Sequence, residues 1–187
     1  VRAFTATSGP GLSLMAESIS MAAVAEIPVV IIDVMRAGPS TGMATKVEQS
    51  DIRYAVGSGH GDAEKIVLAA ASIEDCYYIV QEAFNLAEEY QTPVIVLSDL
   101  QFGMCKQSVP AFDRDRIGIR RGKLVTEGLS ELDMKTKSYF HRFEDTEDGI
   151  SPRTIPGVKN GMFLSTGLEH NVFGKPAEGQ GDRVMEM

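Results

Sequence analysis

Cysteine is scarce in this 187-residue chain, with only Cys76 and Cys105, 29 positions apart. That spacing fits neither a disulfide framework nor a zinc site, and two thiols cannot supply the four thiolates of an iron–sulfur cluster. If the protein handles electrons, the metal sits on another chain. Basic residues are also few, 18 Lys/Arg against 26 Asp/Glu for a net charge of −8, which argues against a nucleic-acid partner. No apolar run approaches the roughly 18 residues of a membrane span, and no signal-peptide pattern opens the chain. No membrane partner is expected, and the location expected is cytoplasmic.

What is present suits an ordinary globular core: 43% hydrophobic and 24% charged residues. The charge is unevenly spread. Residues 1–105 carry five Lys/Arg and thirteen Asp/Glu, whereas residues 106–187 carry thirteen of each. We therefore expect a domain over 1–105 and a structurally different segment over 106–187. Val1 opens directly on a strand-like run without an initiator methionine, so a fragment or observed portion of a longer chain is expected.

The first hundred residues alternate between two periodicities. Val1–Thr7 reads as a strand, stopped by Ser8-Gly9-Pro10-Gly11, where a hydroxyl N-cap and a first-turn proline start a helix. Leu12, Met15, Ile19, Ala22, Ala23 and Glu26 then share one face, and Pro28 ends that helix. Val29–Val34 reads as a strand covered on both faces, as parallel sheets require. A Gly/Ser/Thr-rich loop follows over 37–45, then a short helix from about Val47 to Val56 and a buried strand over Ile66–Ala70. Ser72-Ile73-Glu74-Asp75 resembles a capping box with Asp in place of Glu. The helix it opens runs through Tyr90, with Ile73, Cys76 or Tyr77, Val80, Phe84 and Ala87 inward, and Pro93–Ser98 is another buried strand. This is the pattern of a doubly wound, mostly parallel α/β sheet, which binds ligands at the carboxyl ends of its strands. From residue 106 turn signals dominate, from Asp148-Gly149 to Gly179-Gln180-Gly181. An irregular arm with short strands is expected, docked through Tyr139, Phe140, Phe143, Phe163 and Leu164.

Two loops leave strands at the ligand-binding edge. Thr7, Ser8, Gly9, Pro10 and Gly11 put small side chains and free backbone N–H groups at a helix start, a place for an anionic or polar ligand or simply a strand-to-helix turn. The third glycine of a dinucleotide fingerprint is missing, as is the Gly-Lys-Ser/Thr of a phosphate-binding loop. Arg36 follows directly on the most apolar strand, where a guanidinium can grip a carboxylate with two parallel hydrogen bonds or form a surface ion pair. His60, between glycines, either faces a site or serves as a solvated cap. The Arg114–Lys123 cluster reads as a solvated or subunit-facing segment.

Four ordered blocks resemble the α subunit of 2-oxoacid:ferredoxin oxidoreductases, closest to the 2-oxoglutarate type. They are Thr7–Met15, Arg36–Asp51, Thr146–Arg153 and Gly167-Leu168-Glu169-His170. The resemblance implies a thiamine-diphosphate-binding fold, pyrimidine side, in an enzyme that decarboxylates a 2-oxoacid oxidatively with coenzyme A. Products would be an acyl-CoA, carbon dioxide and reduced ferredoxin. It implies a β subunit that holds Mg²⁺, the diphosphate and a [4Fe-4S] cluster, with thiamine diphosphate shared between the subunits. By resemblance, Thr7, Ser8, Gly9 and Pro10 border the cofactor and Arg36 takes the substrate carboxylate. No catalytic residue is assigned to the chain itself.

Departures from the family pattern are specific. Ala37 stands where glycine is common, Ala44 for proline, Val47 for threonine and Asn171 for aspartate. A Tyr-Pro-Ile-Thr-Pro substrate motif, a Gly-Asp-Gly…Asn metal motif and the glutamate that protonates the aminopyrimidine are not in these 187 residues. The glutamate is expected before Val1. A subunit of a non-redox thiamine-dependent decarboxylase and a non-catalytic docking subunit remain the alternatives.

Overall fold

A computed structural model describes residues 2–127 and 140–177. Val1, Tyr139 and the Gly179–Gly181 turn lie outside the described residues. The chain divides into two compact units, Val1–Arg120 and Arg121–Met187.

The first unit is built on four parallel strands: β1 (Phe4–Thr7), β2 (Val29–Met35), β3 (Ile66–Ala69) and β4 (Pro93–Asp99). Their order is β1-β2-β4-β3. Side chains alternate across a strand. One face of the sheet offers Ile31, Met35, Ile95 and Leu97 to Leu12, Ile19 and Ala55. These come from α1 (Gly9–Leu14), α2 (Ala16–Val24) and α3 (Ile52–Gly57). The other face offers Val30, Val94 and Val96 to Ala83 and Ala87 of α4 (Ile73–Tyr90). The reversal of strand order sends α4 to the opposite face because crossovers keep one hand. A fifth helix, α5 (Leu100–Met104), is capped by the Asp99 carboxylate, which accepts from Phe102 N–H.

Four details differ from the sequence reading. The first helix breaks at Met15 into α1 and α2; Met15 N–H is shared between the Gly11 and Leu12 carbonyls. α3 starts at Ile52, not Val47, because the preceding residues are held by turns: Ala37 and Met43 bridge, and Ala37 N–H reaches Lys46 O. β3 is half-buried with Ala69 exposed, since β4 takes the central position and leaves β3 at an edge. Last, α4 buries polar as well as apolar residues. Asn85 is fully buried, accepting from Arg2 Nη2 and Arg120 N–H and donating to Gly118 O.

That network also fixes the boundary. Arg2 pairs with Glu88 at 2.8 Å, and Arg120 with Glu82 and Glu89 at 2.6 and 2.7 Å. Arg116 lies over the Tyr78 ring. The basic cluster after Arg114 is therefore latched to α4, and the first unit runs past residue 105 to Arg120.

The second unit is irregular, as expected, yet it has its own centre rather than the form of an open arm. Phe140, Phe143 and His170 are buried; the Phe143 and His170 rings lie 3.7 Å apart, and Arg142 sits over Phe143 and Phe163. Gly174, at φ +79°, lies where a Cβ would strike the Leu164 carbonyl. Strands β5 (Leu124–Val125) and β6 (Arg153–Thr154) pair in parallel. Lys123 Nζ gathers Asp148, Thr146 Oγ1 and Ile150 O. Asn171 turns the chain as a neutral acceptor for Phe173 and Lys175 N–H, a role that needs no charge.

Ser72 accepts from Asp75 N–H at 3.0 Å, while Asp75 reaches Ala71 N–H rather than that of Ser72. Ser72→Ala should cost about 1 kcal/mol in urea unfolding. Lys123, with the Thr146 hydroxyl and Ile150 N–H, holds the Asp148 carboxyl down at about 2. Stability from this contact is complete above the ordinary aspartate value of about 4 and fades as pH falls toward 2. A carboxyl-carbon NMR titration should place the Asp148 midpoint near that lowered value, and Lys123→Met should return it toward the ordinary one.

Candidate functional site

Parallel pairing of β1 with β2 sets Thr7 beside Asp33, so the loops that follow both strands leave the same edge of the sheet. The first loop passes at once into α1. Ser8 is its N-cap in extended backbone, without a side-chain cap bond, and Pro10 occupies the first turn. The second loop, 36–51, folds back on itself, with Ser40 and Gly42 at positive φ. Ser50 Oγ donates to Arg36 O at 3.1 Å and closes the loop's base.

The two loops meet. A Cβ on Gly9 would fall 2.5 Å from Asp51 Oδ1, and one on Gly11 would strike Thr7 Oγ1. Both glycines are therefore fixed by close approach: the Asp51 carboxylate lies against one and the Thr7 side chain against the other. Between the loops opens a cleft of about 450 Å³ lined by Gly9, Pro10, Ser13, Arg36, Gly38, Pro39, Ser40, Glu48, Ser50, Asp51 and Tyr54. Tyr54 Oη donates to Ser13 O at 3.3 Å and ties α3 to α1.

Arg36 is the cation of that lining. Its Nε is buried without a hydrogen-bond partner, and among the described residues no carboxylate pairs with it. A guanidinium held this way is prepared for an anionic ligand. Gly9 and Pro10 share the cleft with Arg36, while Thr7 and Ser8 do not line it; Thr7 buttresses Gly11 and Ser8 is the helix cap. His60 does not line the cleft. It is exposed, and its backbone N–H donates to Ser20 Oγ.

Sequence reasoning did not assign Ser13, Asp51, Tyr54 or Asp33. Asp33 is fully buried, and neither carboxylate oxygen has a hydrogen-bond partner. Burial first, then repulsion from Asp51, pushes it up to about 7. Its signal was a carboxylate inside an otherwise apolar strand. Of the cysteines, Cys76 is half-buried and Cys105 exposed. Burial pushes the Cys76 thiol up, which keeps it protonated and unreactive. Among the described residues no three His, Cys, Asp or Glu side chains gather as metal ligands.

Comparison with known proteins identifies the family. Residues 1–187 match the family described as pyruvate flavodoxin/ferredoxin oxidoreductase, thiamine diphosphate-binding. The α subunit of 2-oxoacid:ferredoxin oxidoreductase 2 from Aeropyrum pernix is 48% identical over 95% of this chain and 26% of its own length. The 2-oxoglutarate synthase subunit KorA of Archaeoglobus fulgidus is 54% identical over 57% of this chain and 31% of its own. A solved structure of 2-oxoglutarate:ferredoxin oxidoreductase from Magnetococcus marinus, with 2-oxoglutarate, coenzyme A and succinyl-CoA bound, superposes with a TM-score of 0.85. It is 41% identical, over 96% of this chain and 30% of that one. The chain thus spans under a third of the length of these relatives. It belongs to the thiamine-diphosphate-binding family of pyruvate flavodoxin/ferredoxin oxidoreductases.

Proposed function

We propose that this chain supplies the pyrimidine side of the thiamine diphosphate site, and the substrate-carboxylate clamp, of a 2-oxoacid:ferredoxin oxidoreductase. The observation that carries the proposal is Arg36, unpaired and part-buried, in one cleft with Gly9 and Pro10. The residues present fit the cofactor's pyrimidine half: Gly9 and Pro10 border an open cleft of about 450 Å³ in which Arg36 is the cation. When bound, thiamine diphosphate supplies the electron sink for decarboxylation. Thr7 and Asp51 hold the cofactor loop in shape, Gly9 and Pro10 border the ring, and Arg36 orients the 2-oxoacid through its carboxylate.

The reaction is that of the relatives: a 2-oxoacid, with 2-oxoglutarate the foremost candidate, and coenzyme A give acyl-CoA, carbon dioxide, a proton and two electrons for ferredoxin. A β subunit is taken to complete the site with Mg²⁺, the diphosphate contacts and a [4Fe-4S] cluster, which the two cysteines of these 187 residues could not ligate by themselves. Elements bounding the cleft carry exposed apolar side chains suited to such a partner: Leu14, 89% exposed, with Met43, Ile52 and Val56. The second unit is taken to contact the partner as well, and the cytoplasm is the compartment that suits this chemistry.

Arg36→Ala in the full complex should raise KM for the 2-oxoacid tenfold or more, the ~1.5–3 kcal/mol of a charge-assisted hydrogen bond. Steady-state assays with a viologen acceptor measure it, and an unchanged KM removes Arg36 from the role. Gly9→Ala should push Asp51 away and weaken thiamine diphosphate binding by about tenfold in calorimetry, with Gly57→Ala, where a Cβ meets nothing, as the control.

A further inference from the structure

Asp33 is a buried acid that the proposed chemistry does not use. It sits on the face of β2 that also carries Ile31 and Met35, under the helices that carry the cofactor loop. Its register neighbours are Thr7 on β1 and Leu97 on β4. Thr7 is the residue pressed against Gly11, and Asp51 the residue pressed against Gly9. Asp51 Oδ2, like both oxygens of Asp33, is buried without a hydrogen-bond partner. Asp33, without any donor, thus lies beside Thr7, and Asp51, whose Oδ1 accepts from the Ser50 hydroxyl at 3.5 Å, itself forms the contact on Gly9.

Among the described residues no cation offsets the charge on Asp33. α1 carries no charged residue, Glu17 of α2 and Arg53 of α3 are exposed, and α5 has none. Asp99, farther along the same face of β4, is engaged by Phe102 N–H and Gln49. Arg36 lines the cleft with Glu48 and Asp51, and exposed Lys46 lies in the same loop; the acids of α4 belong to the opposite side of the sheet. The charge that acts on Asp33 is Asp51, and it is adverse. Ionising Asp33 would leave a buried carboxylate without a hydrogen-bond donor and under repulsion from Asp51.

We propose that Asp33 is a positioning residue for the cofactor loop: as the neutral acid it leaves Asp51 seated on Gly9, and as the carboxylate it drives Asp51 away and loosens the grip on thiamine diphosphate. This rests on the functional reading above. The upward shift to about 7 puts the change within the working range of an enzyme. Because the folded-state value is raised, the seated loop is complete at lower pH and is lost as pH rises through that value.

The test uses the full-length α subunit with its β partner, wild type and Asp33→Asn, an uncharged isostere. The thiamine diphosphate Kd should weaken about tenfold more for wild type than for the variant between about pH 6 and about pH 8.5. Asp51→Asn, which removes the repulsion, should flatten the profile too and serves if Asp33→Asn does not fold. In the cofactor-free complex, amide exchange at Gly9 and Gly11 should quicken with pH beyond its chemical rate in wild type and not in the variants. Parallel Kd profiles and unchanged exchange would overturn the role of Asp33, even if its ionisation altered the melting temperature. A wild-type complex that binds no thiamine diphosphate at any pH would instead overturn the functional reading, with the exchange comparison still deciding the fate of Asp33.

Discussion

The site depends on the parallel pairing of β1 with β2. Because Thr7 lies beside Asp33, the segments that follow the two strands emerge together, one turning into α1 and the other coiling through residues 36–51. Antiparallel pairing would have sent them to opposite edges, and Arg36 could not share a cleft with Gly9. Chain direction thus places the guanidinium, and packing refines the placement. Ile31 and Met35 anchor the strand under Leu12 and Ile19, so the loops start from a rigid floor.

The glycines of this site are defined by what touches them. Gly9 and Gly11 lie in a helix, where alanine would ordinarily be preferred. They persist because Asp51 and Thr7 occupy the space a methyl group would need. Close approach of the Asp51 carboxylate to bare Gly9 joins the two loops, while the Thr7 hydroxyl packs the first loop against its own helix. Arg36 differs in kind: it is held in place yet left without a partner, a cost that a structural arginine would not carry.

Much of the fold was legible because apolar runs and breakers agreed. Val29–Val34 and Pro93–Ser98 could only be strands covered on both sides, and Gly9-Pro10 and Ser72 marked helix starts that the structure retains. The thiamine-binding family was legible in four ordered blocks. Exposure of β3 was not, since edge position follows from strand order and no periodicity encodes it. The buried polar flank of α4 escaped too, because Asn85 and Glu88 look like solvent residues until Arg2 and the 118–120 backbone are brought to them. In the site, Arg36 and the glycines announced themselves by type and place. Asp51 and Tyr54 did not, since their importance lies in contacts with residues about forty positions away.

The outermost strand has a consequence of another sort. β1 pairs with β2 on one side alone among the described residues, and Phe4 near its start is 62% exposed. A short apolar border of this kind is a template on which a further chain can add by backbone hydrogen bonding. Produced in isolation, the segment would therefore be prone to self-association along that border, and the longer polypeptide in which the relatives carry it is the sounder material for biochemistry.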